Sequence, residues 1–189
     1  MLKNLHHILD IHMDPIAQKS IASIVKELYS MGEIQALFCE NITSDDFPIS
    51  MALTLEKMPI DAVHYFRELK NSDIPAYGVE SRELHSEYIE ILQELVENDN
   101  GQRSLKNLLT IIPREIRVKS KRDLYFLKHI NKISEKERYS NVALVTGDGH
   151  QKGIEKLSSN LNWDYHLHKC EISEKSYHEQ VLKNLFPNL

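Results

Sequence analysis

The chain has 189 residues, of which 41% are hydrophobic and 27% are charged, a composition typical of one soluble domain. This composition excludes a disordered, collagen-like or coiled-coil chain, and a net charge of -5 gives no general attraction for nucleic acid or an anionic membrane. No apolar run approaches the roughly 20 residues of a membrane helix, and the two cysteines, Cys39 and Cys170, form no disulfide framework. We therefore expect one compact domain over residues 1–189, located in the cytoplasm, without nucleic-acid or membrane partners.

Predicted strands and helices alternate along the chain. Short apolar or alternating runs predict strands at residues 5–12, 34–39, 74–79, 141–146 and 163–170. Apolar residues at helical spacing predict helices at residues 15–31, 49–70, 84–95, 102–112, 120–137, 149–161 and 174–185. Proline is expected to break the 49–70 helix at Pro59 and to end the 102–112 helix before Pro113. The alternation predicts an α/β fold with a largely parallel central sheet of about five strands, helices on both faces and the last strand at an edge.

Polar side chains follow four of the predicted strands, at the end where an open parallel sheet binds ligands. Asp10 and His12 end the first strand, Glu40 ends the second, and Glu80 ends the third. The fourth strand leads into a Gly-Asp-Gly-His turn that ends at His150. The carboxyl ends of parallel strands meet at one edge, so several of these side chains are expected to lie together. Histidine and carboxylate groups either bind a divalent metal that activates water or act as a general acid–base pair.

Each of these residues also has a structural interpretation. Glu40 is favoured as a site residue because glutamate is rarely buried without a partner, whereas His12 fits a hydrogen-bonded edge histidine equally well. Glu80 is interpreted as an acidic residue at a helix start, and Asp148 as the N-cap of the helix near His150. Since the positive end of a helix dipole disfavours imidazolium, His150 is expected to be neutral, as a metal ligand or general base requires.

Other histidines are interpreted as structural or surface residues. His6 and His7 are adjacent in a strand, so their side chains are expected on opposite faces of the sheet. His166 and His168 share one face of the last predicted strand. Because they have no apparent carboxylate partner, we interpret them as solvated residues at the sheet edge.

Five short motifs occur in order between residues 5 and 169. They are Leu9-Asp10-Ile11-His12 with Gln18 in the next helix, Glu40-Asn41, Gly78-Val79-Glu80, Arg122-Asp123 in a helix, and Gly147-Asp148-Gly149-His150 after a strand. In this order and context the chain resembles the superfamily that joins TraB-type pheromone-shutdown proteins, Tiki-type metalloproteases, ChaN-type haem-binding lipoproteins and erythromycin-esterase-like hydrolases. The chain departs from that pattern at Leu9, Asp10 and Asn41, where the superfamily has glycine, glutamate and glycine.

The resemblance implies a hydrolase site that contains Asp10, His12, Glu40, Arg122 and His150. In that site His12, Glu40 and His150 would bind a divalent metal or move protons. Arg122 would hold a substrate carboxylate or a developing oxyanion, and Asp10 would orient an imidazole. Zinc, manganese or iron would suit these ligands. The substrate would be a small molecule or a peptide, and the sequence fixes neither its identity nor the oligomeric state.

Two other functions fit parts of the same sequence. ChaN-type members bind haem, which needs an axial histidine or tyrosine on an apolar surface. His64, Tyr65 and Phe66 offer that combination, although they fit an amphipathic helix better. The Asp-x-His and Gly-Asp-Gly-His segments resemble parts of metallophosphoesterases, but residues 35–100 lack the Gly-Asp and Asn-His motifs which that family requires there. The favoured prediction is a hydrolase, and a non-enzymatic ligand-binding or haem-binding protein is the main alternative.

Overall fold

All strands of the central sheet run parallel. A computed structural model describes residues 3–11, 14–57, 63–97 and 105–172. The strands are β1 (Lys3–Asp10), β2 (Ala36–Thr43), β3 (Ala76–Glu80), β4 (Asn141–Gly147) and β5 (Trp163–Lys169). The helices are α1 (Pro15–Ser30), α2 (Met51–Lys57), α3 (Tyr65–Leu69), α4 (Arg82–Glu97), α5 (Leu105–Glu137) and α6 (Gln151–Asn160), and a short 3₁₀ turn, Asp148–His150, precedes α6.

The strand order is β3-β2-β4-β1-β5, which confirms the predicted α/β fold and the position of the last strand at the end of the sheet. Asp10 at the end of β1 lies opposite Gly147 at the end of β4, and β2 pairs with β4 on the other side. Because the strands are parallel, the carboxyl ends of β1, β2, β3 and β4 share one edge. This edge carries three of the predicted site residues, Asp10, Glu40 and His150.

Two apolar layers cover the faces of the sheet, as predicted. One layer joins β-strand residues such as Ile8 and Val145 to α1, α2 and α3, and it includes the fully buried thiol of Cys39. The other layer joins Phe38 and Leu144 to α5 and α6. None of the helices in the described ranges is both long and apolar enough to cross a membrane.

Helix α5 corrects one sequence prediction. It runs for 33 residues through Pro113, so the expected division into helices 102–112 and 120–137 is wrong. Pro113 and Leu109, whose carbonyl loses its helical partner, are both exposed, and water can take the place of the missing hydrogen bond. Ile111 and Val118 on either side of the proline pack against Ile91 of α4, which keeps the two segments in one helix.

Two other helix predictions involve residues outside those described. Helix α2 ends at Lys57 and α3 begins at Tyr65, so the described part of the 49–70 region holds two helices, and Pro59 itself lies outside the described residues. The predicted helix at 174–185 also lies outside them.

Histidines from β1 and β5 form a cluster on one face of the sheet. His6 Nδ1 lies 3.0 Å from His168 Nε2, and the rings of His6 and His166 stack with their centroids 4.9 Å apart. His166 and His168 lie on the edge strand as predicted and are partly exposed, but the absence of a carboxylate partner is wrong for His166, whose Nε2 lies 3.6 Å from Asp164 Oδ2. Burial, together with the neighbouring His168 and His166, lowers the pKa of His6 to about 4. On the opposite face, His7 contacts Thr146 and Tyr165.

We predict that this cluster makes the fold sensitive to acid. An unfolded histidine takes up a proton near pH 6.5, whereas folded His6 resists it until about pH 4, so folding stability is lost as the pH falls through this window. His6→Gln should reduce the stability lost between pH 7 and 4.5 by on the order of 1 kcal/mol, measured by urea unfolding. Equal losses in the variant and the unmodified chain would contradict the assignment.

Candidate functional site

Side chains from three strand ends and one helix meet at the carboxyl edge of the sheet. Glu40 lies in β2, Glu80 ends β3, and His150 ends the 3₁₀ turn after β4. Helix α5 passes this edge and contributes Arg122 and Asp123. All five residues are buried, with exposed fractions between 2% and 6%, so their charges depend on one another.

Arg122 connects the ends of β2 and β3. Its Nη2 donates to Glu40 Oε1 at 2.8 Å and to Glu80, and its Nε donates to Glu80 Oε1 at 3.2 Å. The ring of Tyr88 lies 4.8 Å and that of Phe126 5.6 Å from the guanidinium carbon. Burial alone would lower the pKa of Arg122, but the hydrogen bond to Glu80 and the charges of both glutamates raise it. Arg122 is therefore a permanently charged bridge.

His150 is held between two carboxylates. Its Nδ1 pairs with Asp123 Oδ1, and its Nε2 lies 3.2 Å from Glu40 Oε1. Burial alone would lower the pKa of His150, but the hydrogen bonds to Asp123 and Glu40 outweigh it and raise the pKa to about 9. The expectation of a neutral imidazole is wrong for this arrangement, because the two carboxylates contribute more than the helix terminus does.

Glu40 accepts hydrogen bonds on both oxygens. Arg122 and His150 contact Oε1, and the Gly147 N–H donates to Oε2 at 2.7 Å. Burial alone would raise the pKa of Glu40, but His150, Arg122 and the Gly147 N–H lower it well below the usual range. Glu40 is thus an ionised carboxylate that links β2, β4 and α5.

The residue after Glu40 has an unusual backbone. Asn41 has φ of 65°, in the left-handed region that favours glycine and next asparagine, and the β2–β3 register shifts at this point. Gly78 of β3 allows the close approach, since a Cβ there would lie 2.5 Å from the Ile42 carbonyl oxygen. Asn41 therefore adopts a backbone conformation that glycine or asparagine accommodates best.

Asp10 lies at the same edge but has other contacts. It is buried and accepts a hydrogen bond from Gln18 Nε2 at 2.6 Å, and Gln18 Oε1 accepts from the Tyr65 N–H at 3.2 Å. The carboxylate that orients the His150 imidazole is Asp123 rather than Asp10. His12 lies outside the described residues, so its part in the site stays a prediction.

Two members of this cluster, Glu80 and Asp123, were not among the predicted site residues. Glu80 was interpreted as a helix-start residue, but Ser81 Oγ accepts from the Leu84 N–H there, and Glu80 binds Arg122. The sequence did contain a signal for a site role of Glu80, because Glu80 follows an apolar strand segment just as Glu40 does. Asp123 entered only through the Arg-Asp motif, and its partner is 27 residues away in sequence.

Asp148 is also different from the sequence interpretation. It makes no side-chain capping bond and is exposed, so its assignment as an N-cap is wrong.

A cavity of about 360 Å³ opens above this cluster. Glu40, Arg122 and His150 line it on the sheet side, and Tyr88 and Leu92 of α4 line it on the other side. The ion-paired cluster therefore borders a space large enough for a small organic group, at the edge where parallel sheets bind ligands.

The described donors fit a divalent metal poorly. In the described part of the chain, no group of three or more His, Cys, Asp or Glu side chains is arranged to hold a metal ion. Of the predicted ligands, Glu40 is already paired with Arg122, and His150 is protonated near neutral pH. Haem binding through α3 gains no support, since Tyr65 and Phe66 are buried in the core.

Comparisons of this chain with protein-family models, curated proteins and solved structures found no match. The resemblance to the TraB, Tiki, ChaN and erythromycin-esterase superfamily therefore stays a prediction from its motifs.

We predict that Gly153 of α6 is needed to place Asp123. A Cβ at Gly153 would lie 1.8 Å from Asp123 Oδ2, so Gly153→Ala must displace that carboxylate from His150. We expect a loss of about 1–3 kcal/mol in the free energy of unfolding, as for overpacked sites. Gly149→Ala is the matched control, because its Cβ would meet only the flexible end of Lys119 at 3.4 Å. Equal stability of the two variants would count against this packing constraint.

A second prediction concerns the charge of His150. NMR titration of its ring should give a pKa of about 9, and Asp123→Asn should lower it by removing one carboxylate. Because the folded pKa exceeds the unfolded value near 6.5, this histidine stabilises the fold below that pH and loses its contribution as the pH rises to about 9. A ring that titrates near pH 6.5 in both proteins would show that the carboxylates do not control its charge.

Proposed function

We propose that this chain is a hydrolase that cleaves an ester or amide bond of a small-molecule or peptide substrate in the cavity above Glu40, Arg122 and His150. One observation carries the proposal. A buried imidazole is hydrogen-bonded at both nitrogens to carboxylates, and one of these carboxylates also binds a buried guanidinium beside an open cavity. General acid–base catalysis requires such groups within hydrogen-bonding distance of each other.

The first step uses Glu40 as the base. An attacking water would form a bond to the substrate carbonyl carbon and give its proton to the Glu40 carboxylate. The low pKa of Glu40 makes it a weak base while Arg122 and His150 both contact Oε1. A substrate oxygen that takes over one of these donors would strengthen the base at the moment it is needed.

Arg122 would stabilise the negative charge on the carbonyl oxygen. Its Nε and Nη2 are engaged by the two glutamates, whereas its Nη1 makes no hydrogen bond to the described residues. Those N–H groups remain for a substrate oxyanion, and the stacked Tyr88 and Phe126 rings hold the guanidinium plane in place.

His150 would act as the acid in the second step. When the bond between the carbonyl carbon and the leaving group breaks, His150 would donate its Nε2 proton to the leaving oxygen or nitrogen. The proton on Glu40 then crosses the 3.2 Å to Nε2, which restores both groups for the next cycle. Asp123 at Nδ1 keeps the ring oriented and favours the protonated form.

The described residues support this path without a metal, although the earlier expectation of zinc, manganese or iron still calls for a test. Activity after chelation, and after return of each ion, measures that dependence directly.

A non-enzymatic binding protein is the second candidate, because the same buried ion pairs can also hold strand ends together. The cavity beside Glu40 and His150 favours the hydrolase, since a purely structural ion cluster has no need of an open face.

We predict that Glu40→Gln removes hydrolysis on a panel of 4-nitrophenyl esters, lactones and peptides. The amide keeps the volume but loses the basicity, so kcat should fall by on the order of 10²–10⁴. The fold should persist because Glu80 still pairs with Arg122, and circular dichroism checks this.

Glu80→Gln is the matched control for that experiment. Glu80 also binds Arg122 but makes no hydrogen bond to His150 in the described contacts, so its variant should keep measurable turnover. Wild-type kcat/KM in Glu40→Gln, or no turnover by the unmodified chain on the whole panel, would rule out the proposed role.

A further inference from the structure

A second cavity adjoins the one above the candidate site. It has a volume of about 350 Å³ and is lined by residues of α5 and of the segment from the 3₁₀ turn into α6. Lys119, Asp148 and Gly149 line both cavities, so they form the border between them. Because Gly149 has no side chain, it leaves space beside Lys119 at this border; a Cβ there would lie 3.4 Å from Lys119 Nζ.

Lys119 faces the site on the same side of α5 as its charged neighbours. It precedes Arg122 and Asp123 by three and four residues, the spacing that places side chains on one helical face. Arg122 and Asp123 form ion pairs within the site. Lys119, by contrast, has no carboxylate partner among the described residues. Lys119 is a half-buried residue at a cavity border, and an anionic ligand can bind its ammonium group.

Two lysines in the lining of the second cavity are placed to bind an anion. The lining carries Lys119 and Lys152 against Asp123 and Asp148, and the Asp123 carboxylate is held by His150, so the two lysines remain for a ligand. Lys152 lies in the first turn of α6, whose dipole adds to the attraction. Gln151 supplies a further hydrogen-bonding group on the same wall.

We propose that the substrate carries an anionic group, a carboxylate or a phosphate, that binds to Lys119 and Lys152 while its scissile bond lies beside Glu40 and His150. This inference rests on the proposed function, and it names the class of substrate. The apolar wall of the first cavity, formed by Tyr88, Ile89 and Leu92, faces the part of the substrate next to the reacting carbonyl.

The experiment compares three matched esters, namely 4-nitrophenyl methyl glutarate, the corresponding hemiglutarate with a free carboxylate, and the 4-nitrophenyl ester of a phosphonoalkanoate. The unmodified chain should prefer the anionic esters by about tenfold in kcat/KM, a preference expected of a charge-assisted contact. The ratio between the two anionic esters distinguishes carboxylate from phosphate. Lys119→Met should abolish the preference, mainly through KM, and Asp148→Asn should increase it.

Lys121→Met is the control, since Lys121 lies on the same helix but pairs with Glu87 at 3.5 Å, and its variant should keep the preference. Hydrolysis without any preference, or an equal loss for all three esters in Lys119→Met, would overturn this inference and leave the hydrolase intact.

Calorimetric titration with glutarate and with inorganic phosphate separates the two proposals. Binding that Lys119→Met weakens, in a protein that hydrolyses none of the esters, would keep the anion site and reject the hydrolase. Absence of both binding and hydrolysis would reject both.

Discussion

One guanidinium organises the functional edge of this protein. Arg122 cannot be buried without compensating charge, and Glu40 and Glu80 supply that charge from neighbouring strands. Removing either glutamate would leave a less compensated cation in a desolvated position, so the ends of β2 and β3 and the middle of α5 are fixed relative to one another. His150 shares the same Glu40 oxygen, which extends this constraint to the turn after β4.

The electrostatic state of the edge follows from how the charges alternate. Along the connected chain of side chains, Glu80, Arg122, Glu40, His150 and Asp123 are successively negative, positive, negative, positive and negative. The carboxylates beside Arg122 and His150 raise the pKa of both cations, and these cations lower the pKa of Glu40, so all three groups stay charged although they are buried. The network holds opposite charges side by side where little water reaches them. A polar substrate in the adjoining cavity can compete for their hydrogen bonds.

Much of the fold was predictable because local patterns carry it. The alternation of apolar strands and amphipathic helices predicted a parallel five-stranded sheet, and polar residues at the strand ends pointed to the correct edge. The errors arose where contacts between residues distant in sequence determine the local structure or the charge of a side chain. Ile91 of α4 packs against α5 on both sides of Pro113, and Asp123 raises the pKa of His150 from 27 residues away. Neither contact leaves a periodic signal in the sequence, and the same holds for the contact between β1 and β5 histidines.

The strand order also determines when each strand can pair with its neighbours during synthesis. β1 is synthesised first, but its neighbours in the sheet, β4 and β5, are synthesised last, with Asn4 and Asn141 separated by 137 residues. At about 5–20 residues per second, a nascent β1 waits roughly 7–27 seconds on the ribosome before β4 emerges. During that interval its apolar residues, such as Leu5 and Ile8, have no β-strand on either side. Chaperone binding to the unfinished chain is therefore expected at this N-terminal segment, and the charged edge is assembled only after nearly all of the described chain has been translated.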